Sequence, residues 1–265
     1  MSPVGVAARF GRLLAAEWRK LWSVHAMAAA LVAMPPVALL FSWFFSYDAG
    51  VGYAALSDAD KAAFDPTAIS LQSHLVAQLV VGILGVLAVT TEYSSDMIAT
   101  TAIAVPRRGV LFSAKATVIT AVTALVGTVS AFLSFWLGQA VIGARGAPAA
   151  ALGDPHVARS VIGMGLYLAA TALLGLALGT LLRSSAAAIG LIGAAVLIIP
   201  ALSQNLPAAA AGVIARFWPS LAGSQIMTVV LDPGLLEPWA GFALFLATVA
   251  AITVSAWIAF RTRDI

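Results

Sequence analysis

Residues 161–182 read VIGMGLYLAATALLGLALGTLL, and this uncharged stretch decides the fold class. A helix needs about 20 mainly apolar residues to cross the hydrocarbon core of a membrane. Five further runs have the same character, namely residues 23–46, 71–91, 116–141, 186–202 and 241–260. The sequence therefore predicts an all-α integral membrane protein with six transmembrane helices. Residues 183–185 are the only break between the fourth and fifth runs, so one over-long helix is the competing interpretation there.

The composition excludes most other classes of protein. Of 265 residues, 62% are hydrophobic and only 9% are charged, against about 25% charged residues in an ordinary soluble domain. A disordered chain would be poor in apolar residues. The absence of cysteine excludes disulfides, zinc–thiolate sites and a cysteine nucleophile. The continuous Ala-, Leu- and Gly-rich runs also lack the alternation of a β-barrel strand.

Charges are distributed unequally between the two faces of the predicted bundle. Six spans place both termini on one face, which carries ten basic and four acidic residues, net +6. The opposite face carries four basic and seven acidic residues, net −3. Because cytoplasmic loops are enriched in Lys and Arg, we expect cytoplasmic termini in a multi-pass protein of the cell membrane. The chain would form one transmembrane domain, with 1–22 as a surface helix, 23–260 as the bundle and 261–265 as a tail.

Residues 4–22 are amphipathic. On a helical wheel, Trp18 and other apolar residues fall on one half, and Arg19 and Lys20 fall with the basic residues opposite. This pattern is typical of an interfacial helix lying in the headgroup plane. Glu17 breaks the pattern, because the wheel puts its carboxylate in the apolar half, where contact with lipid is costly. Two interpretations stay open: local pairing with Lys20, or contact with a basic residue of the second cytoplasmic loop or of a partner protein.

The segment between spans two and three, residues 90–109, reads TTEYSSDMIATTAIAVPRRG. Residues 94–96 offer good helix N-caps, residues 97–105 can form a short helix, and Pro106 ends it. Several of its apolar side chains would face a water boundary, and such surface usually marks a contact site. The sequence predicts a short helix, parallel to the membrane, that contacts another protein. A tight loop packed on its own helices is the alternative.

Residues 65–115 resemble the membrane subunits (permeases) of ABC transporters of the type-2 exporter class, particularly the actinobacterial ones. The resemblance is carried by the runs 65–66, 84–98, 100–101, 104–108 and 114–115. Residues 17–21 resemble the N-terminal helix of that family, and residues 217–225 resemble its outer segment before the last span. Asp96 departs from the family, in which a small or glycine-like residue is expected; it adds a charge near the expected contact.

The resemblance implies that this chain is the pore-forming half of an ABC exporter and not itself an enzyme. A separate cytoplasmic ATPase would bind ATP and Mg²⁺, and this chain would hold no cofactor; it contains no phosphate-binding loop of the Walker type. Residues 95–105 would be the coupling helix that sits in a groove of the ATPase. Two six-span halves would assemble as a homodimer or with a sister permease. The expected ATPase-coupling residues are Glu92, Tyr93, Asp96, Met97, Ile98, Thr101, Pro106, Arg107 and Arg108; those of the interfacial helix are Glu17, Trp18, Arg19 and Lys20.

The predicted spans are poor in catalytic side chains. They carry no Asp, Glu, Lys or Arg, which disfavours a transporter coupled to protons or sodium. The three histidines of the chain are scattered, so neither a metal cluster nor a serine–histidine pair of an intramembrane hydrolase is expected. His74 and Gln78 lie one turn apart on span two; they could form a polar pair or serve as ordinary helix–helix hydrogen-bonding groups.

The glycines of the spans favour close helix packing rather than contact with a substrate. Small residues three or four apart let helix backbones approach each other in a membrane. The pairs with this spacing are Gly82 and Gly85, Gly175 and Gly179, and Gly190 and Gly193.

Two outer segments, residues 47–70 and 203–238, complete the chain. The first is expected as a loop rich in Asp. The second is either a set of short helices that re-enters or covers the outer leaflet as a gate, or a surface loop with interfacial aromatics. The favoured function is export of an amphiphilic or hydrophobic compound (a drug, an antibiotic or a lipid-like molecule), with the direction resting on the resemblance alone. The alternative is a membrane scaffold or sensor bound to an ATPase without transport of its own.

Overall fold

The computed structural model describes residues 3–94 and 108–262, and every regular element in that part of the chain is helical. A π-helical turn, Ala194–Ile198, joins α8 to α9, and single 3₁₀ turns follow α2, precede α5 and follow α11. The elements are α1 (Pro3–Ser23), α2 (His25–Gly52), α3 (Asp58–Ala62), α4 (Pro66–Ser70), α5 (His74–Ser94), α6 (Arg108–Gly143), α7 (Val157–Leu182), α8 (Ser185–Gly193), α9 (Ile199–Ser203), α10 (Ala208–Phe217), α11 (Pro219–Ser224) and α12 (Pro238–Thr262).

Six stretches of the described chain are long and apolar enough to cross a membrane, which confirms the predicted class. In the third span, α6 begins at Arg108 rather than at residue 116. With 36 residues, α6 is about 54 Å long and extends beyond a hydrocarbon core of about 30 Å. The six stretches are His25–Ala55, Pro66–Tyr93, Gly109–Gly143, Val157–Leu182, Ser185–Ser203 and Pro238–Thr262.

The fourth and fifth spans are separate helices, so the over-long helix is wrong. Arg183 ends α7 in the left-handed conformation, with φ of 52°. Ser184 is extended, and its Oγ accepts a hydrogen bond from Ala187 N at 3.4 Å as the N-cap of α8. The chain therefore turns at the Arg-Ser-Ser break.

The fourth span, α7, lies at the centre of the bundle and packs against α5, α6 and α12. Of its apolar window, 83% is buried, against 50% or less in the other spans. Glycines permit the closest of these contacts. A Cβ built on Gly85 would lie 2.0 Å from Ala172 O, and one built on Gly175 would lie 2.1 Å from Gly82 O. The backbones of α5 and α7 therefore touch where a side chain larger than hydrogen has no room.

The other predicted glycine pairs have different surroundings. A Cβ on Gly179 would lie 3.1 Å from Val86 O, so this residue also lies in the α5–α7 contact. For Gly190 and Gly193 the expected close neighbour is wrong within the described part of this chain, because a Cβ on either would meet nothing within 4 Å. These two glycines lie on an open face of the fifth span.

The fifth span widens into its π-helical turn immediately before Pro200. Proline has no N–H to donate to the carbonyls one turn earlier, and a wide turn leaves carbonyls for other donors. Two side chains from outside the fifth span supply these donors. Trp218 Nε1 donates to Ala195 O at 2.6 Å, and Gln78 Nε2 donates to Val196 O at 3.1 Å. The turn is thereby tied to α5 and to the outer segment.

His74 and Gln78, the possible polar pair of span two, bond other partners in the structure. His74 Nδ1 lies 3.0 Å from Leu71 O in its own chain segment. Gln78 instead accepts a hydrogen bond at its Oε1 from Tyr167 OH of α7, at 2.7 Å. Of the two interpretations, the ordinary helix–helix hydrogen bond is the one that the structure shows.

The face opposite the termini consists mainly of short helices. The expected loop at 47–70 is wrong, because α2 continues to Gly52 and is followed by α3 and α4. Asp65 links this region to the second outer segment: its Oδ1 accepts from Ala68 N at 2.9 Å, and its Oδ2 accepts from Val229 N at 2.6 Å. Residues 203–238 contain α10 and α11, and α11 packs against α12. The segment therefore contains the short helices of the first interpretation, and their role as a gate stays a prediction.

Candidate functional site

Four charged side chains meet on the face of the bundle that carries α1. Lys115 Nζ of α6 donates to Glu17 Oε2 of α1 at 2.6 Å and also to Glu92 Oε1 of α5. Lys20 Nζ of α1 donates to the same Glu92 oxygen at 2.6 Å. We call Glu17, Lys20, Glu92 and Lys115 the charge cluster. Its order is Glu17–Lys115–Glu92–Lys20, so opposite charges alternate along it.

The charge cluster is largely shielded from solvent. Glu92 is 0% exposed, Lys115 3% and Glu17 8%, while the Lys20 side chain keeps 25% of its surface. Moving a charge out of water costs several kcal/mol per ion, and only well-placed opposite charges and hydrogen bonds offset that cost. Lys115 therefore needs both carboxylates to remain buried in its charged form. Glu92 Oε2 is buried and has no hydrogen-bond partner within the described residues.

The charge cluster brackets the segment that the sequence predicts as a coupling helix. Glu92 lies in the last turn of α5, three residues before the segment at 95–107, and Lys115 lies two turns into α6, after it. Through Lys115 both flanks are bonded to α1. A displacement of that segment would consequently pull on α1 and on two spans at once.

The environment of Glu17 decides between its two predicted roles. Its carboxylate binds Lys115 of the long helix α6, whereas Lys20 binds Glu92. Local pairing of Glu17 with Lys20 is therefore wrong, and the structure shows contact with a basic residue beyond α1. Lys115 was counted in the sequence only as a charge that sets orientation. Its position at the edge of an apolar run, eight residues after Arg107, was the available signal that it needs a buried partner.

Three of the predicted coupling residues, Glu92, Tyr93 and Arg108, lie within the described ranges. The carboxylate of Glu92 is turned into the bundle rather than outward. Tyr93 has its ring 5.5 Å from the Arg183 guanidinium at the α7–α8 break, a cation–π distance. Arg108 begins α6. The residues that lie outside the described ranges are Asp96, Met97, Ile98, Thr101, Pro106 and Arg107.

The N-terminal helix has an inward and an outward face, but these divide its residues differently from the helical wheel, which sets Trp18 opposite Arg19 and Lys20. Leu21 is buried in the bundle core, while Trp18 and Trp22 remain exposed with their rings 5.8 Å apart. Arg19 is exposed, and its Nε donates to Ala15 O within the same helix. The helix thus carries Glu17 and Lys20 inward and Trp18 and Arg19 outward.

The C-terminal end of α12 lies on the same face as the charge cluster. Trp257 Nε1 donates to Gly109 O of α6 at 3.3 Å, and the Arg261 guanidinium stacks 4.4 Å from the Trp257 ring. At the α7–α8 break, Ser185 Oγ donates to Thr90 Oγ1 at 2.8 Å. We call this end of the bundle the terminal face. It joins α1, both flanks of 95–107, the α7–α8 break and the end of α12.

Comparison with known proteins identifies the architecture. The family model described as ABC-2 family transporter protein matches residues 13–201, more than two thirds of the chain. The matched region includes all four residues of the charge cluster, the first four spans and the fifth up to residue 201. No curated protein matches the chain.

Proposed function

The chain belongs to the ABC-2 family of transporter proteins and is a membrane permease subunit of an ABC transporter; from that premise we propose that it is the pore-forming half of an ATP-driven exporter. A separate cytoplasmic ATPase subunit would bind ATP and Mg²⁺ and drive it. The single observation that carries the coupling part of this proposal is the charge cluster. It bonds α1 to both flanks of 95–107, the segment proposed to receive the ATPase.

The proposed mechanism follows from that arrangement. Closure of the ATPase would displace the segment at 95–107, and the bonds of Lys115 would carry this movement to α1 and to the second and third spans. Many transporters move cargo by alternating access, in which packed halves rock against each other. The α5–α7 contact has no room for sliding at Gly85 and Gly175, so α5 would carry α7 with it.

The proposed orientation places the terminal face in the cytoplasm of the cell. The net charge of +6 on the face with the termini supports it, because Lys and Arg are enriched on the cytoplasmic side. In that orientation α1 lies at the inner leaflet, where its exposed arginines face anionic lipid. The ATPase would then reach 95–107 from the cytoplasm.

We propose that the working transporter contains two such halves, as a homodimer or with a sister permease. The open face of the fifth span supports this. A Cβ built on Gly190 or Gly193, which lie on that face, would meet nothing of the described chain within 4 Å. Small residues at this spacing are typical of close helix–helix contacts in membranes. If this face joins two halves, Gly190→Leu lowers the dimer fraction in cross-linking, while Gly11→Leu, on an equally open position of α1, does not.

The proposed cargo is an amphiphilic or hydrophobic compound, such as a drug, an antibiotic or a lipid-like molecule. The charges within the described spans gather in the charge cluster and at the ends of the helices, and the cluster neutralises itself. The lining of a pathway between such helices would be mostly apolar, and intramembrane charge is costly unless it serves transport. A scaffold or sensor role without transport is the alternative, and it predicts ATPase binding without ATP-driven movement of any amphiphile.

Co-expression with an ABC-type ATPase subunit from the same cell tests the proposal. We expect a stable complex that moves fluorescent lipids or lipophilic dyes across proteoliposomes on addition of ATP. Ile98→Asp should abolish the complex, because it places a charge on the proposed contact. Val213→Asp is the matched control, since Val213 is an exposed apolar residue of α10 on the opposite face. Binding that survives Ile98→Asp would contradict the coupling assignment, and binding without dye movement would favour the scaffold.

A further inference from the structure

Two grooves flank the lipid-facing ridge of α6 near the terminal face. The first, of about 410 Å³, lies between α1 and α6 and is lined by apolar side chains that include Trp18, Val122 and Leu125. The second, of about 320 Å³, lies between α6 and α12 and is lined by Phe112, Thr253 and Trp257 among others. Thr117 lines both grooves, so they meet there and pass on either side of one helix.

An exposed line on α6 starts at Thr117, where the two grooves meet, and continues along the first groove. Thr117, Ala121 and Leu125 follow each other at intervals of four residues, and all three are exposed. Residues four apart lie on the same face of a helix. Two apolar channels separated by one ridge form a surface that matches a ligand with two hydrocarbon chains better than a single helix from another protein.

The grooves are bordered by cations that have no carboxylate partner among residues 3–94 and 108–262. Arg12 and Arg19 stand one turn to either side of Ala15, which lines the first groove, and both are exposed. Arg261 stands beside Trp257, which lines the second. The acidic residues described on this face, Glu17 and Glu92, are buried and held by lysines, so they do not neutralise these arginines.

The groove walls also offer hydrogen-bonding groups. The hydroxyls of Ser113 and Thr117 donate to carbonyls of α6, at 2.9 and 2.8 Å, which leaves their oxygens free to accept. Thr253 Oγ1, in the wall of the second groove, has no partner within the described residues. A headgroup with hydroxyls and a phosphate would find both acceptors and cations here.

We propose that these grooves bind one anionic diacyl phospholipid from the leaflet at the terminal face. One chain lies in each groove on either side of Thr117, and the phosphate contacts the arginines of α1 and α12. Such a lipid would join α1 to α12 across α6. The inference stands on the grooves and charges alone and does not depend on the cargo or the ATPase.

Native mass spectrometry of the purified full chain tests this site. The detergent-solubilised protein is titrated with phosphatidylglycerol and with phosphatidylcholine of identical chains, and glycerol 3-phosphate serves as the headgroup without chains. We expect one phosphatidylglycerol per chain, roughly tenfold preferred over phosphatidylcholine, since each basic residue near a membrane surface adds attraction for an anionic lipid. No retention of glycerol 3-phosphate is expected, because the chains supply the apolar contact.

Three variants locate the site. Arg12→Gln/Arg19→Gln/Arg261→Gln should remove the preference for phosphatidylglycerol, and Thr117→Trp should displace the lipid from the point where the grooves meet. Arg216→Gln, at an exposed arginine of α10 on the opposite face, is the control and should retain it. Equal retention of the two lipids, or a preference that survives the triple variant, overturns the proposal. So does efficient disulfide dimerisation of Thr117→Cys, which would show that a second copy covers the ridge.

Discussion

Lys115 shows at the residue scale how a membrane chain keeps a charge where water cannot reach it. Two carboxylates from different helices accept hydrogen bonds from one ammonium group, and a second lysine, Lys20, binds the carboxylate of Glu92. A buried ion pair of this kind contributes little to net stability, but the removal of one partner is costly. Its value lies in specifying which helices meet.

Lys115→Met is expected to destabilise the chain by about 3–5 kcal/mol, because Glu17 and Glu92 would be left buried without their shared cation. Glu17→Gln/Glu92→Gln/Lys115→Met should recover most of that loss, since neutral side chains of similar volume bear no such cost. Unfolding in mixed micelles measures both. Arg19→Gln is the control, because Arg19 is exposed and outside the cluster. If Lys115→Met and Arg19→Gln unfold alike, the cluster does not hold the helices together.

At the scale of an element, the π-helical turn of the fifth span also specifies a contact between distant segments. Pro200 withholds a backbone donor, and Ala195 O is satisfied from another segment by Trp218 Nε1 and by Ser220 Oγ, at 2.6 and 3.1 Å. The outer segment is thus attached to the fifth span at its π-helical turn. A break in a helix becomes a specific attachment point because buried carbonyls need donors.

Trp218→Phe/Ser220→Ala should cost about 1–3 kcal/mol of unfolding free energy, because Ala195 O is then left unsatisfied in an apolar setting. Addition of Pro200→Ala should offset part of the loss by restoring an N–H to the turn. Trp239→Phe is the matched control at an exposed tryptophan. Thermal unfolding in detergent distinguishes the variants. A double variant as stable as Trp239→Phe would show that the turn is satisfied some other way.

The sequence predicts the membrane-spanning helices of this protein, because a long apolar run is enough to define each of them. The run at 161–182 is helical because an apolar backbone in a membrane must satisfy its own hydrogen bonds, and the break at 183–185 marks the next helix. The hydrogen-bond partners of the side chains were less predictable, because they depend on how the helices are aligned in three dimensions. Nothing local to Gln78 shows that it bonds Tyr167 and Val196 rather than His74. The open surroundings of Gly190, in contrast to Gly85, likewise emerge only from packing.

The sequence predicted one part of the candidate site, namely that Glu17 needs a basic partner, but it did not identify that partner. Glu17 drew attention because a carboxylate on an apolar face needs a partner, and Lys115 is that partner. The choice of Lys115 over the nearer Lys20 depends on α6 starting at Arg108, which places its second turn beside α1. The periodicity of residues 4–22 contains no information about that distant helix.

At the scale of the whole molecule, orientation is the first property to test. Because the chain has no cysteine, single-cysteine variants report accessibility without background. Ala59→Cys in α3 and Thr262→Cys at the end of α12 are exposed positions on opposite faces. In intact cells we expect an impermeant maleimide to label Ala59→Cys but not Thr262→Cys, as the charge bias requires. Labelling of the reverse pattern would place the terminal face outside.

The central claim is that the charge cluster carries movement from the ATPase to the far end of the bundle. An environment-sensitive fluorophore on Ala210→Cys, exposed on α10, reports that end in the complex with the ATPase. We predict an ATP-dependent change in its fluorescence with the wild-type cluster. The change should be lost in Glu17→Gln/Glu92→Gln/Lys115→Met, although this variant still binds the ATPase and ATP is still hydrolysed. An unchanged fluorescence response in that variant would contradict the account.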